Sequence, residues 1–337
     1  MKIAIDAAGG DFAPQEIVKG AVKAQQEYNL EIALVGRRSV LHTLTGRSAR
    51  KADIEIVDAK QVIDYHESPI KALQNKPDSS IVVGINLLKS GKADAFVSAG
   101  NTGAVVAGSL LALGKVKGIN RPAIGCFLDT IASVPPLLVD AGANADCRPE
   151  HLLEFARMGS LYSQSILKIS NPRVGLLSNG GENGKGNRLV VESFALLEKA
   201  GDINFIGNVE GHDIIARTTD VIVTDGFTGN IVLKTIEGFS DNFLTSVRQI
   251  GRVFSSASRQ RGSDLLRDIG MTNWAQKLDY TEYGGACLLG VNGNVIIAHG
   301  RSKARAIKNA IGLAKETAER SFTEKVEEEH YEQTIRI

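Results

Sequence analysis

Residues 93–104 read Ala93-Asp-Ala-Phe-Val-Ser-Ala-Gly-Asn-Thr-Gly-Ala104, and their pattern indicates the fold class. A short apolar run ends at Ser98, a turn of small and polar residues follows, and a helix-forming stretch begins near Ala104. Unbroken apolar runs of this length are typical of strands buried on both faces of a parallel sheet. The stretch therefore predicts a strand, a glycine-rich turn and a helix in direct succession.

The same succession recurs along most of the chain. Strands are predicted at Lys2–Asp6, Glu31–Val35, Ile54–Val57, Ala95–Ser98, Ala123–Leu128, Leu137–Asp140, Val174–Ser178, Asn204–Ile206, Val221–Asp225, Leu288–Val291 and Val295–Ala298. Helical patterns separate most of these runs, which predicts an α/β fold with three αβα layers around a large, mostly parallel sheet. Residues 1–337 are expected to form a single domain.

After Gly229 the pattern changes to a long helix. Phe243, Val247, Ile250 and Phe254 form one apolar stripe, and Gly262-Ser-Asp264 then interrupts the helix. This predicts a protruding helical hairpin over residues 238–278 that makes a dimer or membrane contact. Five arginines make it the most basic part of the chain: Arg248, Arg252, Arg259, Arg261 and Arg267.

Composition narrows the classes of protein. The chain is 43% hydrophobic with 35 glycines, and its net charge of +1 gives no broad field for nucleic acid. The three cysteines lie far apart, which favours a reducing cytoplasm over a disulfide framework. Met1 leads straight into the first predicted strand, so we expect no signal peptide, and no apolar run is long enough to span a membrane.

Chemistry is expected in turns that follow strands, because open α/β sheets bind ligands there. Four turns are unusually rich in Gly, Asn and Asp: Asp6–Asp11, Ser98–Gly103, Ser178–Asn187 and Thr224–Asn230. Glycine lets backbone N–H groups approach an anion, and the start of a helix adds a favourable dipole. We therefore predict phosphate binding by these four turns.

Standard catalytic motifs are missing. Gly184-Lys185 fails the Walker pattern, because Asn179 stands where the first glycine belongs and Gly186 follows the lysine. No Gly-x-Gly-x-x-Gly, His-Glu-x-x-His, Cys-x-x-Cys or Gly-x-Ser-x-Gly occurs. Cys147 precedes a predicted helix start without an obvious base beside it, which argues against a nucleophile. We expect neither a cofactor nor a metal.

Several side chains in the four turns are candidates for the site. Lys185 is a cation in a glycine loop, Asn230 can donate to an oxyanion, and Asp225 can orient a lysine or accept a proton. The predicted phosphate and substrate ligands are Gly9, Gly10, Asn101, Thr102, Asn187 and Thr228. The alternatives stay open: Lys185 as a solvated loop residue, and Asn101, Asp225 and Asn230 as helix or turn caps.

Longer strings identify a family. They are Asp6–Pro14, Glu67–Pro69, Lys76–Ile81, Ala93–Ala104, Asp140–Cys147, Asn171–Leu177, Phe205–Gly211, Asp225–Asn230 and Tyr283–Gly285. In this order they resemble the bacterial phosphate acyltransferases, which transfer acyl groups from acyl carrier protein to phosphate in phospholipid synthesis. The resemblance spans nearly the whole chain.

The resemblance implies a fold like that of isocitrate and isopropylmalate dehydrogenases and of phosphotransacetylase. It implies a homodimer, an acyl carrier protein thioester as donor and inorganic phosphate as acceptor. The acyl phosphate would pass to a membrane glycerol-3-phosphate acyltransferase, and the helical hairpin would touch the membrane peripherally. It also implies catalytic importance for Lys185 and Asn230.

The hypothesis is that all four turns converge on one pocket. Gly9–Gly10 and Asn101–Thr102 would hold phosphate, while Lys185 and Asn230, oriented by Asp225, would meet the thioester oxygen or the phosphate. Two alternatives remain: a nicotinamide-dependent hydroxy-acid dehydrogenase on the same fold, and a non-catalytic membrane scaffold.

Overall fold

A computed structural model describes residues 1–49, 53–128, 135–257 and 284–335. Its strands are β1 Lys2–Asp6, β2 Glu31–Gly36, β3 Ile54–Asp58, β4 Ala95–Ser98, β5 Ala123–Phe127, β6 Leu137–Val139, β7 Arg173–Leu177, β8 Asn204–Val209, β9 Val221–Val223, β10 Ala286–Leu289 and β11 Asn294–Ile297. Each predicted strand is therefore confirmed, with its ends shifted by at most a few residues.

Helices connect most of the strands. They are α1 Gln15–Tyr28, α2 Arg38–Ala49, α3 Pro69–Asn75, α4 Ser80–Lys89, α5 Thr102–Leu113, α6 Pro149–Leu167, α7 Arg188–Lys199, α8 Gly211–Ala216, α9 Gly226–Ala257, α10 Ala304–Glu319 and α11 Phe322–Ile335. The helix α9 contains the first arm of the predicted hairpin. The second arm, over residues 258–278, lies outside the described residues.

Within the described residues the strands form one sheet in the order β3-β2-β1-β4-β11-β10-β5-β6-β9-β7-β8. One apolar cluster packs α1, α6, α7 and α10 against one face through residues such as Ile17, Phe155 and Ile307. A second cluster packs α4, α5 and α9 against the other face, with Ile81 and Val105 among its members. The three-layer αβα architecture is thus confirmed.

The sheet is mostly parallel but changes direction near its middle. The pairs β10–β11, β10–β5 and β5–β6 are antiparallel, and the other neighbouring pairs are parallel. As a result β6 to β10 run opposite to β1–β5 and β11. We call the edge with the carboxyl ends of β1, β4 and β11 the first edge, and the edge with those of β6, β7 and β9 the second edge.

Candidate active site

The first edge is organised by the buried carboxylate of Asp6. Its Oδ1 accepts the N–H groups of Ala8 and Gly9, each at 3.0 Å, and its Oδ2 accepts the Ser98 hydroxyl at 2.7 Å. A Cβ on Gly9 would collide with this carboxylate and would lie 2.7 Å from the Gly100 Cα. The first two glycine turns therefore pack directly on each other, and the Gly9 N–H is used inside the protein.

Asn101 serves as the N-cap of α5. Its Oδ1 accepts the Ala104 N–H at 3.0 Å, and its amide donates to the carbonyls of Asp64 and Tyr65 at 3.0 and 3.2 Å. The N–H groups of Thr102 and Gly103 have no acceptor among the described residues. The capping alternative is therefore confirmed for the Asn101 side chain, while the uncharged helix start beside it can accept an anion.

A third turn completes the first edge and was missed by the sequence analysis. It follows β11, and Ser302 on it is only 2% exposed with no hydrogen bond from its hydroxyl to any described residue. The N–H of Arg301 donates to His299 Nδ1 at 3.1 Å, and His299 Nε2 lies 3.2 Å from Glu237 Oε2 on α9. The signal in the sequence was a glycine turn after a predicted strand, Ala298-His-Gly-Arg-Ser302.

At the second edge the buried carboxylate of Asp140 organises a turn, as that of Asp6 does at the first edge. Its fully buried carboxylate accepts the N–H groups of Ile124, Gly142, Ala143 and Asn144 at 2.7–3.0 Å, and the Asn144 amide at 2.9 Å. Burial raises the pKa of both Asp6 and Asp140, while their N–H donors act in the opposite direction. The turn after β6 is thereby fixed against the sheet.

The start of α9 is seated on this turn. The Gly226 N–H donates to the Asn144 carbonyl at 2.7 Å, and a Cβ on Gly229 would collide with the Asp140 carbonyl oxygen. Asn230 follows on the exposed side, and a Cβ on Gly142 would lie 3.5 Å from its Cγ. Close backbone packing therefore places the Asn230 amide at the second edge.

Asp225 and Thr228 form the N-cap of α9. Asp225 accepts the Thr228 N–H at Oδ1 and the Thr228 hydroxyl at Oδ2, both at 2.8 Å. The structure shows this capping interaction, and within the described residues Asp225 forms no hydrogen bond or ion pair with Lys185, so the predicted orienting role is not seen. The negative charge also makes this helix start a poorer anion site than that of α5.

Lys185 lies on the turn after β7 and is exposed. Its backbone N–H donates to the Glu182 carbonyl at 3.1 Å. The side-chain amide of Asn208, on β8, donates to the same carbonyl at 3.1 Å. Asn187 caps α7 by accepting the Val190 N–H at 2.9 Å. The ammonium of Lys185 forms no ion pair with any described residue, so its charge is available to a ligand.

The predicted convergence of all four turns is wrong. Asp6–Asp11 and Ser98–Gly103 lie at the first edge, whereas Ser178–Asn187 and Thr224–Asn230 lie at the second. The antiparallel pairs in the middle of the sheet are the reason, because they reverse the direction of β7 and β9 relative to β1 and β4. The site therefore consists of two clusters.

A groove of about 140 Å³ joins the two clusters across one face of the sheet. Thr102, His299 and Ser302 line it at the first edge, and Ala141 and Asn230 line it at the second. Its walls between these ends are mainly apolar: Ile124, Phe127, Leu233, Ile236, Ala286 and Ile297. The β5 residues that line it, from Ile124 to Phe127, extend roughly 10 Å along the strand.

The cysteines are poorly suited to nucleophilic chemistry. Burial, with a further contribution from the Asp140 charge, raises the pKa of Cys147 to about 12. Burial likewise raises the pKa of Cys287 to about 12. A thiol with such a pKa stays protonated near neutral pH and reacts slowly.

Two kinds of feature are absent from the described residues. In that part of the chain no group of three or more His, Cys, Asp or Glu side chains is arranged to hold a metal ion. None of its helices combines the length and the apolar character needed to cross a bilayer.

Solved structures define the class of protein. The fold matches a phosphotransacetylase from Streptococcus pyogenes with a TM-score of 0.61 at 18% identity, covering 94% of each chain. It also matches a branched-chain phosphotransacylase from Enterococcus faecalis V583 with a TM-score of 0.58 at 13% identity, covering 94% of this chain and 99% of that one. The chain is therefore an α/β protein with the phosphotransacetylase fold.

Sequence comparisons define the family. The family model described as "Fatty acid synthesis protein" matches residues 1–325. A phosphate acyltransferase of Dehalococcoides mccartyi is 53% identical over 329 residues, which cover 98% of this chain and 94% of the relative. The chain belongs to the phosphate acyltransferase family, and it is a transferase.

Proposed function

We propose that this protein transfers a fatty acyl group from acyl carrier protein to inorganic phosphate, and that the acyl phosphate then enters phospholipid synthesis. Membership of the phosphate acyltransferase family supports this proposal. The observation that carries it is the largely apolar groove, which reaches Asn230 at the same edge of the sheet as the exposed Lys185. Such a site can hold a long thioester substrate beside a small dianion.

We place the acyl-transfer reaction at the second edge. Lys185 and Asn230 follow the neighbouring strands β7 and β9, and both side chains are exposed there. A phosphate oxygen attacks the thioester carbon, and the carbonyl oxygen gains negative charge that the Asn230 amide stabilises. The carbon–sulfur bond then breaks, the thiolate leaves and takes a proton from water, and acyl phosphate remains.

The attacking phosphate is assigned to Lys185 rather than to the first edge. The Lys185 ammonium and the start of α7, which the neutral Asn187 caps, both favour an anion. The Gly9 N–H and the Asn101 side chain are hydrogen-bonded within the protein, and both residues lie at the opposite edge of the sheet.

Gly10 and Thr102 remain substrate-binding candidates at the first edge. Thr228 lies two residues before Asn230 on α9, and its hydroxyl, which donates to Asp225, can still accept a hydrogen bond.

Release of free carrier thiol tests the function directly. Purified protein is mixed with acyl carrier protein thioester, with and without phosphate, and thiol is measured beside hydroxylamine-reactive acyl phosphate. We expect both products only when phosphate is present. Thiol release without phosphate indicates hydrolysis, and the absence of either product refutes the proposal.

A cysteine variant tests the direct attack by phosphate. Cys147→Ala is expected to keep the rate of acyl transfer within about twofold of wild type, because its high pKa leaves no thiolate to form an acyl-enzyme. Iodoacetamide at pH 8 should label this thiol much more slowly than free cysteine. Trapping of an acyl group on Cys147 by mass spectrometry would contradict the expectation.

We also propose a cytoplasmic homodimer that touches the membrane only peripherally and delivers its product to a membrane glycerol-3-phosphate acyltransferase. Exposed apolar residues at the start and middle of α9 support a contact surface there, with Phe227 at 63%, Ile231 at 52% and Phe239 at 65% exposure. Sedimentation equilibrium tests the dimer, and vesicle flotation tests the membrane contact.

A further inference from the structure

We propose that the groove binds the acyl chain of the donor, holds roughly six to eight of its carbons, and ends at a polar pair formed by Glu237 and His299. The proposal rests on the proposed function and deepens it. It names the half of the thioester that enters the protein and the residues that set the preference for chain length.

The groove lies on the face of the sheet that α5 and α9 cover. Ile124, Ala286 and Ile297, on β5, β10 and β11, form its floor and belong to the apolar cluster of that face. Leu233 and Ile236 of α9 pack against the same cluster and form a wall. None of these five side chains can form a hydrogen bond, so this stretch favours a ligand that is itself apolar.

The thioester has two halves, and only one of them suits these walls. The groove reaches Ala141 and Asn230 at the second edge, where we place the thioester carbon. The pantetheine arm carries amide groups, which would lose their hydrogen bonds to water between aliphatic side chains. The acyl chain has no polar group beyond its carbonyl. The chain therefore runs from Asn230 into the groove, and the arm leads from this exposed residue out to solvent and the carrier.

The size of the groove sets the number of carbons that it holds. Its volume is about 140 Å³, and an apolar cavity of about 150 Å³ holds the six carbons of benzene. Its β5 lining extends roughly 10 Å, and an extended alkyl chain advances about 1.3 Å per bond. The volume and the length thus agree on roughly six to eight carbons.

Polar side chains close the end of the groove at the first edge. Glu237 Oε2, on α9, lies 3.2 Å from His299 Nε2, on the turn after β11, and 3.9 Å from Lys234 Nζ. All three residues line the groove. A methyl group that reached this pair would take water from polar groups without replacing its hydrogen bonds, which is unfavourable. Carbons beyond the pair therefore lie outside the groove and add no further burial.

A series of acyl-pantetheine thioesters, from acetyl to dodecanoyl, tests the proposal. We expect kcat/KM with phosphate to rise roughly two- to fourfold per added methylene up to about octanoyl, and then to level off, because only buried methylenes contribute. An equal gain per methylene through dodecanoyl, or no dependence on chain length at all, would overturn the proposal.

Two variants should move the levelling point in opposite directions. Ala286→Leu fills the floor and is expected to move it to shorter chains, lowering the octanoyl-to-acetyl ratio of kcat/KM at least tenfold. Glu237→Ala removes the end of the groove and is expected to move it to decanoyl or longer. The second variant keeps the test decisive if Ala286→Leu does not fold, since it only removes atoms from a half-buried side chain.

Leu111→Ala is the control, because Leu111 is 72% exposed on α5 and does not line the groove. It should keep the wild-type dependence on chain length. If Ala286→Leu and Glu237→Ala keep that dependence as well, the acyl chain does not occupy the groove.

The same series separates this proposal from the proposed function. If wild type forms no acyl phosphate from any member of the series or from the carrier thioester, the proposed function fails. If acyl phosphate forms but chain length has no effect, only the assignment of the groove fails.

Discussion

Replacing Lys185 by alanine is expected to lower the rate of acyl-phosphate formation roughly a hundredfold to a thousandfold, the usual cost of removing one group that stabilises a developing charge. The side chain is exposed and forms no ion pair with the described residues, so its charge is free for phosphate or the oxyanion. Steady-state kinetics with the carrier thioester and phosphate measure the effect.

The fold should survive this substitution. The turn is held by contacts that do not use the Lys185 side chain, since the Glu182 carbonyl accepts both the Lys185 backbone N–H and the side-chain amide of Asn208. Thermal unfolding of Lys185→Ala should therefore match wild type. Arg188→Ala is the matched control, because Arg188 is an exposed cation three residues further on that pairs with Glu192 at 2.7 Å.

The comparison also decides between the two interpretations of Lys185. If Lys185→Ala turns over at a near-normal rate, or if Arg188→Ala loses as much activity, Lys185 is a solvated loop residue without a catalytic role. Lys185→Arg keeps the charge but changes the shape of the donor group, so an intermediate rate would indicate that position matters as well as charge.

The strands were predictable from sequence because burial on both faces leaves a local signature. Runs such as Ile3–Ile5 and Val221–Val223 are wholly apolar, and in the structure they are almost completely buried. An apolar run carries no information about its direction, however. The reversal at β10, β5 and β6 depends on pairings between distant segments, and for this reason the convergence of the four turns was predicted wrongly.

The glycine-rich turns were predicted correctly, but composition could not show whether their glycines serve close packing or anion binding. Gly9 and Gly229 are glycines because backbone or carboxylate atoms of another turn fill the space of a side chain. Gly10 has a φ of +114°, a conformation that glycine adopts without strain. Close packing and anion binding both favour glycine, so only the contacts distinguish them.

The polar residues of the turns show the same ambiguity. Asn101, Asn187 and Asp225 all cap helices, which is the alternative that the sequence left open for two of them. Asp140 and Ser302 received no role because each matters through a contact with a residue distant in sequence. Their importance became visible only from their burial and their hydrogen-bond partners in the structure.

A pair of glycine substitutions on α9 tests how closely the site depends on this packing. Gly229→Ala is expected to lower the free energy of unfolding by roughly 2–4 kcal/mol, because the new Cβ collides with the Asp140 carbonyl oxygen and α9 must shift. Gly238→Ala places the same methyl group where no atom lies within 4 Å, and should stabilise the helix by up to about 1 kcal/mol. Urea unfolding measures both.

The activity of the same pair links packing to chemistry. Asn230 follows Gly229 directly and touches the turn that Asp140 holds, so a shift of α9 moves its amide away from the thioester oxygen. A misplaced oxyanion donor loses most of its effect, and we expect the turnover of folded Gly229→Ala to fall at least tenfold while Gly238→Ala stays near wild type. If Gly229→Ala were as stable and active as wild type, the close seat of α9 on the Asp140 turn could not be what positions Asn230.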